Sequence, residues 1–147
     1  MPNSLFIGFK GKNNSSGILA NSFSPQNYLL TNSFEGLKKD IVKIPSGYEK
    51  AYLFGVDKNL QDSFRIERFA ETGGVLRASV LDLEGLAKQF PLYGINAELS
   101  AATTKYLCNA AYGHLIEKFN GNAVLIHIPT IKHFDQAWIS DIKQILY

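Results

Sequence analysis

The stretch "TTKYLCNAAYGHLIEKFNGNAVLIHIP", residues 103–129, joins two different periodicities. Its first part reads as the longest helix of the chain, from about Thr103 to Phe119. Leu107, Ala111 and Leu115 recur at steps of four and line one stripe. Asn120-Gly121 ends that helix, since glycine takes left-handed backbone readily. "NAVLIHIP" then reads as a buried strand stopped by Pro129.

The same alternation recurs upstream. "SLFIGF" reads as a buried strand closed by the turn-rich "KGKNNSSG", with a short helix expected over Gly17–Phe23. "YLLT" is a second strand. "NSFEGLKKDIVKI" reads as a helix capped by Asn32 or Ser33 and stopped at Pro45. "KAYLFGV" is another strand. In "DSFRIERFA" the residues alternate, with Phe64 and Ile66 on one face and Arg65, Glu67 and Phe69 on the other. "TGG" is a break. A helix follows over Asp82–Phe90, then the strand "INAELS", and "DQAWISDIKQILY" is a C-terminal helix. Alternating strands and helices predict an α/β sandwich, with helices on both faces of a largely parallel sheet.

The chain has 147 residues, which fits one domain, and a hydrophobic fraction of 46%. Fifteen Lys and Arg face thirteen Asp and Glu, interleaved, for a net charge of +2. No block of like charge marks a nucleic-acid surface, so no nucleic-acid partner is expected. One cysteine excludes a fold stapled by internal disulfides. No stretch approaches a membrane span, and the opening "MPNSLFIGFKGK" lacks the basic lead and apolar length of a secretory signal. A cytoplasmic location is expected.

Metal and phosphate motifs are missing: there is no H-E-x-x-H, no C-x-x-C and no Gly-rich phosphate loop. The candidate chemistry is therefore that of Cys108. A lone cysteine beside Leu107, Ala110 and Ala111 has an ordinary reading as a small core residue. Its other reading, as a nucleophile, needs a base to take the thiol proton. His114 is six residues on, roughly 120° around the helix, and is a poor partner. His127 ends an apolar strand, where open α/β sheets place their sites. Its alternative is a hydrogen-bonded histidine at the sheet margin. Glu67 places a carboxylate inside a strand; its alternative is a solvent-facing glutamate paired with Arg65 or Arg68.

Taken together, these segments resemble the pyroglutamyl peptidase I family, the pyrrolidone-carboxylate peptidases. The family's nucleophile segment has the form S-x-x-A-G-x-Y-L-C-N after a short G-I-P strand. "GINAELSAATTKYLCN" keeps Gly94, Ile95, Glu98, Ser100, Tyr106, Leu107, Cys108 and Asn109 in register, with Thr103-Thr104 in place of Ala-Gly. "LIHIP" is similar to the family's H-V-P segment, and "ERFAET" to its E-R-I-A-x-N, with Thr72 for the asparagine. Arg77 falls ten residues after Glu67, where the family has an arginine near its oxyanion site. "YLFGVD" and "LFIGF" resemble two further family strands, so the likeness runs from Leu5 to about Pro129.

The resemblance implies a single pyroglutamyl-peptidase-like domain over residues 1–147. Its fold would be a three-layer α/β/α sandwich with a mostly parallel, mixed sheet, phosphorylase/hydrolase-like. It implies a cysteine exopeptidase that removes N-terminal pyroglutamyl residues from peptides or small amides. The catalytic residues would be Cys108, His127 and Glu67, with Arg77 at the oxyanion and Phe9, Tyr106 and Leu107 against substrate. No metal or organic cofactor is needed. A histidine-activated Cys108 would alkylate faster than an ordinary thiol. The family's opening loop, G-F-x-P-F-G-G, is here "GFKGKNN": Phe9 matches its first phenylalanine and Lys12 falls at the second. The chain is shorter than family members after Arg77, where part of the family's extra segment serves subunit contacts, so no oligomeric state is predicted. Two other readings stay open: a noncatalytic relative that serves as a binding domain, and a cysteine hydrolase of another small amide or lactam.

Overall fold

The computed structural model describes residues 3–147. The strands are β1 (Ser4–Phe9), β2 (Asn27–Leu30), β3 (Lys50–Val56), β4 (Ser63–Glu67), β5 (Phe69–Thr72), β6 (Val75–Ala78), β7 (Asn96–Leu99) and β8 (Ala123–Ile128). The helices are α1 (Ser15–Asn21), α2 (Phe34–Val42), α3 (Leu83–Gln89), α4 (Tyr106–Lys118) and α5 (Trp138–Leu146). Six strands form one sheet in the order β2-β1-β3-β8-β4-β7, and β5 and β6 form a separate hairpin. Within the sheet, β4 runs antiparallel to β8 and every other pairing is parallel. The fold is an α/β/α sandwich with a mixed, mostly parallel sheet.

Strand alternation sorts the side chains into two cores. Leu5, Ile7 and Phe9 of β1, Leu53 of β3 and Leu125 of β8 pack against Leu37 and Ile41 of α2 and Ala111, Tyr112 and Leu115 of α4. Phe6, Phe54, Phe64, Ile66, Val124 and Ile126 point the other way, onto Leu19 of α1, Leu83 of α3 and Ile142 and Leu146 of α5. Central strands buried on both faces are near-continuous apolar runs, as "SLFIGF" and "AVLIHI" are. Because Ala123 and Leu125 face α4, the same alternation turns His127 to that side.

Three helix starts are capped by side chains that accept otherwise unpaired backbone N–H groups: Asn14 from Ser16, Ser33 from Gly36 and Asp82 from Gly85. The Asn14 cap moves the first helix to Ser15–Asn21, two residues ahead of the expected start. "DSFRIERFA" is two strands rather than one. The Ser100 hydroxyl accepts the Arg68 N–H at 3.0 Å, which takes the donor that would continue the ladder. The chain then turns out into the hairpin. Thr72 pairs with Val75 across Gly73-Gly74, whose φ values of 58° and 77° suit the tight primed turns of two-residue hairpins.

The second core is rich in ring contacts. Phe64 meets Trp138 at 5.3 Å and Phe90 at 5.6 Å, both edge to face. Phe64 is 1% exposed, so Phe64→Ala removes its area burial and leaves a cavity between sheet and helices. The expected loss is about 3–5 kcal/mol, read as a lower urea midpoint with an unchanged slope. A loss below about 1 kcal/mol would show that the rings repack around the gap.

Candidate active site

His127 is the penultimate residue of β8 and is 3% exposed. Glu67 is the last residue of the neighbouring β4 and is 1% exposed. The antiparallel register sets Arg65 opposite His127 and Glu67 opposite Leu125. All three polar side chains therefore leave the sheet on the α4 side. Glu67 Oε2 lies 2.7 Å from His127 Nδ1, and Arg65 Nε donates to the same oxygen at 2.6 Å. A second Arg65 nitrogen donates to Asp57 Oδ2 at 2.7 Å, just past the end of β3. The backbone carbonyl of Glu67 accepts the Tyr112 hydroxyl at 2.7 Å. No buried side-chain polar atom among the described residues lacks a partner.

Cys108 reaches this row from above. Helix α4 starts at Tyr106, not at Thr103, because Lys105 is extended and Tyr106 sits in left-handed backbone, φ 61°. Cys108 is thus in the first turn, where the helix dipole favours negative charge. No side chain caps this helix start, so its first N–H groups stay free to meet a ligand. The first turn is anchored instead by Asn109, whose side-chain amide donates to the Glu71 carbonyl at 2.6 Å and accepts the Glu71 N–H at 2.9 Å. Gly55 of β3 makes room for the thiol. A Cβ placed there would stand 2.7 Å from Cys108 Sγ and 3.3 Å from His127 Cδ2, so thiol and imidazole flank one point in space. With Nδ1 on Glu67, the free imidazole nitrogen for base chemistry is Nε2.

Charges in this row tune one another. Burial alone would raise Glu67, but hydrogen bonds from His127 and Arg65 hold it below its ordinary value. Burial likewise opposes ionisation of Asp57, and the Asn59 N–H and Arg65 outweigh it. The Cys108 thiol is pushed the other way, up to about 11, by burial and then by the Glu67 and Asp57 carboxylates. This shift works against the fast alkylation that the resemblance implies, since it favours the neutral thiol at pH 7.

The open cleft beside Cys108 has a volume of about 530 Å³. Its walls include Asp57 and Lys58 after β3, Thr103 to Leu107 ahead of and within α4, and His127. Tyr106 and Leu107 therefore stand at the cleft, with Tyr106 80% exposed. Phe9 is not among the residues of its walls; it is 4% exposed, in the core shared with α4. Arg77 is also elsewhere, on β6, with its guanidinium 3.0 Å from Glu117 and its Nε on the Thr72 hydroxyl. Glu117 belongs to the last turn of α4, the far end from Cys108. His114 is in that region too, where burial and then Lys38 hold its pKa down. Sequence reading took Arg65 only as an alternative partner of Glu67 and passed over Asp57, Gly55 and the clamping role of Asn109. The Arg65/Glu67 spacing of two in a strand was the available signal, since it puts both on one face.

No protein-family model and no curated protein sequence matches this chain. Solved structures do. The pyrrolidone carboxyl peptidase of Thermococcus litoralis superposes with a TM-score of 0.82 at 18% identity, over 99% of this chain and 92% of that one. That of Thermus thermophilus gives 0.81 at 14% identity, over 97% of both chains. Pyroglutamyl peptidase I of Bacillus amyloliquefaciens gives 0.81 at 13% identity, over 97% and 94%. The chain has the fold of these peptidases.

Two outcomes follow from the charge row. Alkylation of Cys108 by iodoacetamide is expected to be slow at pH 7 and to rise with pH toward a midpoint near 11. Asp57→Asn removes a charge that opposes the thiolate, so its midpoint lies lower; an unchanged midpoint would leave burial as the only cause. For stability, Asp57 and Glu67 are both depressed, so their contribution is whole above the unfolded carboxylate values and is lost as pH falls through the folded ones. The urea midpoint should hold from pH 7 to about 5 and drop below about 4. Arg65→Gln should flatten that acid limb, and an equally steep limb in the variant would assign it to other carboxylates.

Proposed function

We propose that this chain is a cysteine peptidase of the pyrrolidone-carboxylate type, with Cys108 as nucleophile, His127 as general base and acid, and Glu67 as orienting carboxylate. One observation carries the reading. The buried His127–Glu67 pair, 2.7 Å apart, and the thiol of Cys108, in the first turn of a helix, border the same residue, Gly55. The fold shared with solved pyrrolidone carboxyl peptidases supports it.

In this mechanism the resting thiol is neutral, so its proton moves to His127 Nε2 as Sγ attacks the scissile carbonyl, rather than beforehand. The tetrahedral oxyanion meets the free N–H groups at the start of α4. An oxyanion role for Arg77 requires its guanidinium to leave Glu117, so the backbone donors are given that part. His127 then protonates the leaving amine, and water hydrolyses the thioester with His127 again as base. Glu67 holds the imidazole tautomer throughout. The substrate in this reading is a peptide or small amide with an N-terminal pyroglutamyl group, met in the cytoplasm.

A second reading, a cysteine hydrolase of another small amide or lactam, is favoured by the cleft walls. Phe9 is buried away from them, Lys12 is exposed, and the walls carry Thr103, Thr104, Lys58 and Lys105. A lactam ring packed between fewer aromatic faces loses on the order of 1–3 kcal/mol.

The test is steady-state hydrolysis of pyroglutamyl-aminomethylcoumarin. Turnover is expected, with a high KM, and with complete loss in Cys108→Ala and at least about a hundredfold loss in His127→Ala. Lys12→Phe should lower KM roughly tenfold if a missing aromatic wall is the cause. Activity that survives Cys108→Ala sinks the mechanism. Inertness toward this substrate with hydrolysis of other small amides selects the second reading.

A further inference from the structure

The proposed triad does not account for Arg65 or Asp57, although both are tied directly to it. His127 Nδ1 has two neighbours of opposite demand. Glu67 Oε2, at 2.7 Å, accepts a hydrogen bond, and an Arg65 terminal nitrogen, at 3.3 Å, only donates one. A single ring nitrogen satisfies one of them. If Nδ1 carries the proton, it donates to Glu67 and Nε2 keeps a lone pair for the Cys108 proton. If Arg65 donates to Nδ1, the proton sits on Nε2 and the imidazole has no base facing the thiol.

The geometry selects the first state through Asp57. The Arg65 nitrogen that approaches Nδ1 is the one that donates to Asp57 at 2.7 Å, so Asp57 draws it off the ring. Arg65 Nε meanwhile fixes Glu67 Oε2, the oxygen that Nδ1 uses. We infer that Arg65 is a positioning residue, anchored by Asp57, that holds Glu67 and so selects the Nδ1-protonated tautomer of His127. This inference rests on the triad reading for its catalytic meaning but not for its tautomer claim.

The charged and titratable groups against His127 are Glu67 and Arg65 on β4, with Asp57 after β3 held by Arg65, while the Cys108 thiol on α4, Lys58 and Lys105 share its cleft. Two carboxylates and one guanidinium leave one net negative charge beside the ring. Loss of Arg65 doubles it, and loss of Asp57 cancels it while it frees the guanidinium to donate to Nδ1. The two substitutions thus disturb charge in opposite directions, yet both loosen the Nδ1–Glu67 bond, loss of Arg65 by releasing Glu67 Oε2 and loss of Asp57 by freeing the guanidinium, which separates orientation from a plain field effect.

The experiment is ¹⁵N NMR of the His127 ring in the unliganded full chain at pH 8, with kcat and KM on pyroglutamyl-aminomethylcoumarin beside it. The wild type should show Nδ1 protonated and Nε2 bare. Asp57→Asn should shift the ring toward the Nε2-protonated form and lower kcat by at least about tenfold. Arg65→Gln should mix the tautomers, and Arg65→Lys, which keeps the charge but not the fork, should restore only part of the order. Circular dichroism and a thermal melt identify any variant that fails to fold, in which case Arg65→Lys and Asp57→Asn carry the test. An Nε2-protonated ring in the wild type overturns the inference, as does an unchanged ring in both folded variants. The expected tautomers with no hydrolysis by the wild type leave the inference standing and count against the peptidase reading.

Discussion

The antiparallel run of β4 against β8 is the constraint on which the site depends. Every other pairing in the sheet is parallel, and this one reversal sets Arg65 beside His127 with Glu67 one step away. The three side chains then share a face by alternation alone. The cost is a carboxylate and a histidine withdrawn from water. Removal of one partner from a buried ion pair costs about 3–5 kcal/mol, since the other is left uncompensated. Arg65 and Asp57 therefore do structural work as well as electrostatic work, because they complete the pairing around Glu67. Half-buried Asp57 also carries this charge row out to the wall of the cleft.

Helix α4 supplies the other half of the arrangement. It is fixed to the sheet by Tyr112, whose hydroxyl reaches the Glu67 carbonyl, and to the hairpin by the Asn109 amide. Its uncapped first turn is held by these contacts rather than by its own sequence. The left-handed backbone of Tyr106 is of the kind that persists only where surroundings impose it, and such residues cluster at functional sites. That backbone lets the chain enter the helix so late that Cys108 falls in the first turn.

Much of this was legible beforehand, for stated reasons. The apolar runs of β1 and β8 and the four-residue stripe of α4 report burial directly, and burial is what fixes layers in an α/β sandwich. Alternation in "FRIE" put Arg65 and Glu67 on one face. Other features could not be read locally. The end of β4 depends on Ser100, which lies thirty-two residues away, so the strand looked continuous into Phe69. The late start of α4 depends on backbone at Tyr106 that residue type does not announce. Phe9 and Arg77 were placed by resemblance alone. Their surroundings are decided by packing under α4 and by Glu117 at its far end, neither of which a motif records.

A thiol held protonated is also shielded from oxidation. Peroxide reacts with thiolates, and sulfenic, sulfinic and sulfonic acids form in that order from the ionised sulfur. With its thiol pushed up to about 11, Cys108 presents almost no thiolate to an oxidant at neutral pH. The chain holds one cysteine, so no second thiol stands by to trap a sulfenic acid as an internal disulfide. Damage to this sulfur would find no second thiol in the chain to reverse it, and a low resting ionisation would slow that damage. Burial first, and the neighbouring carboxylates after it, thereby slow the loss of this sulfur to an oxidant.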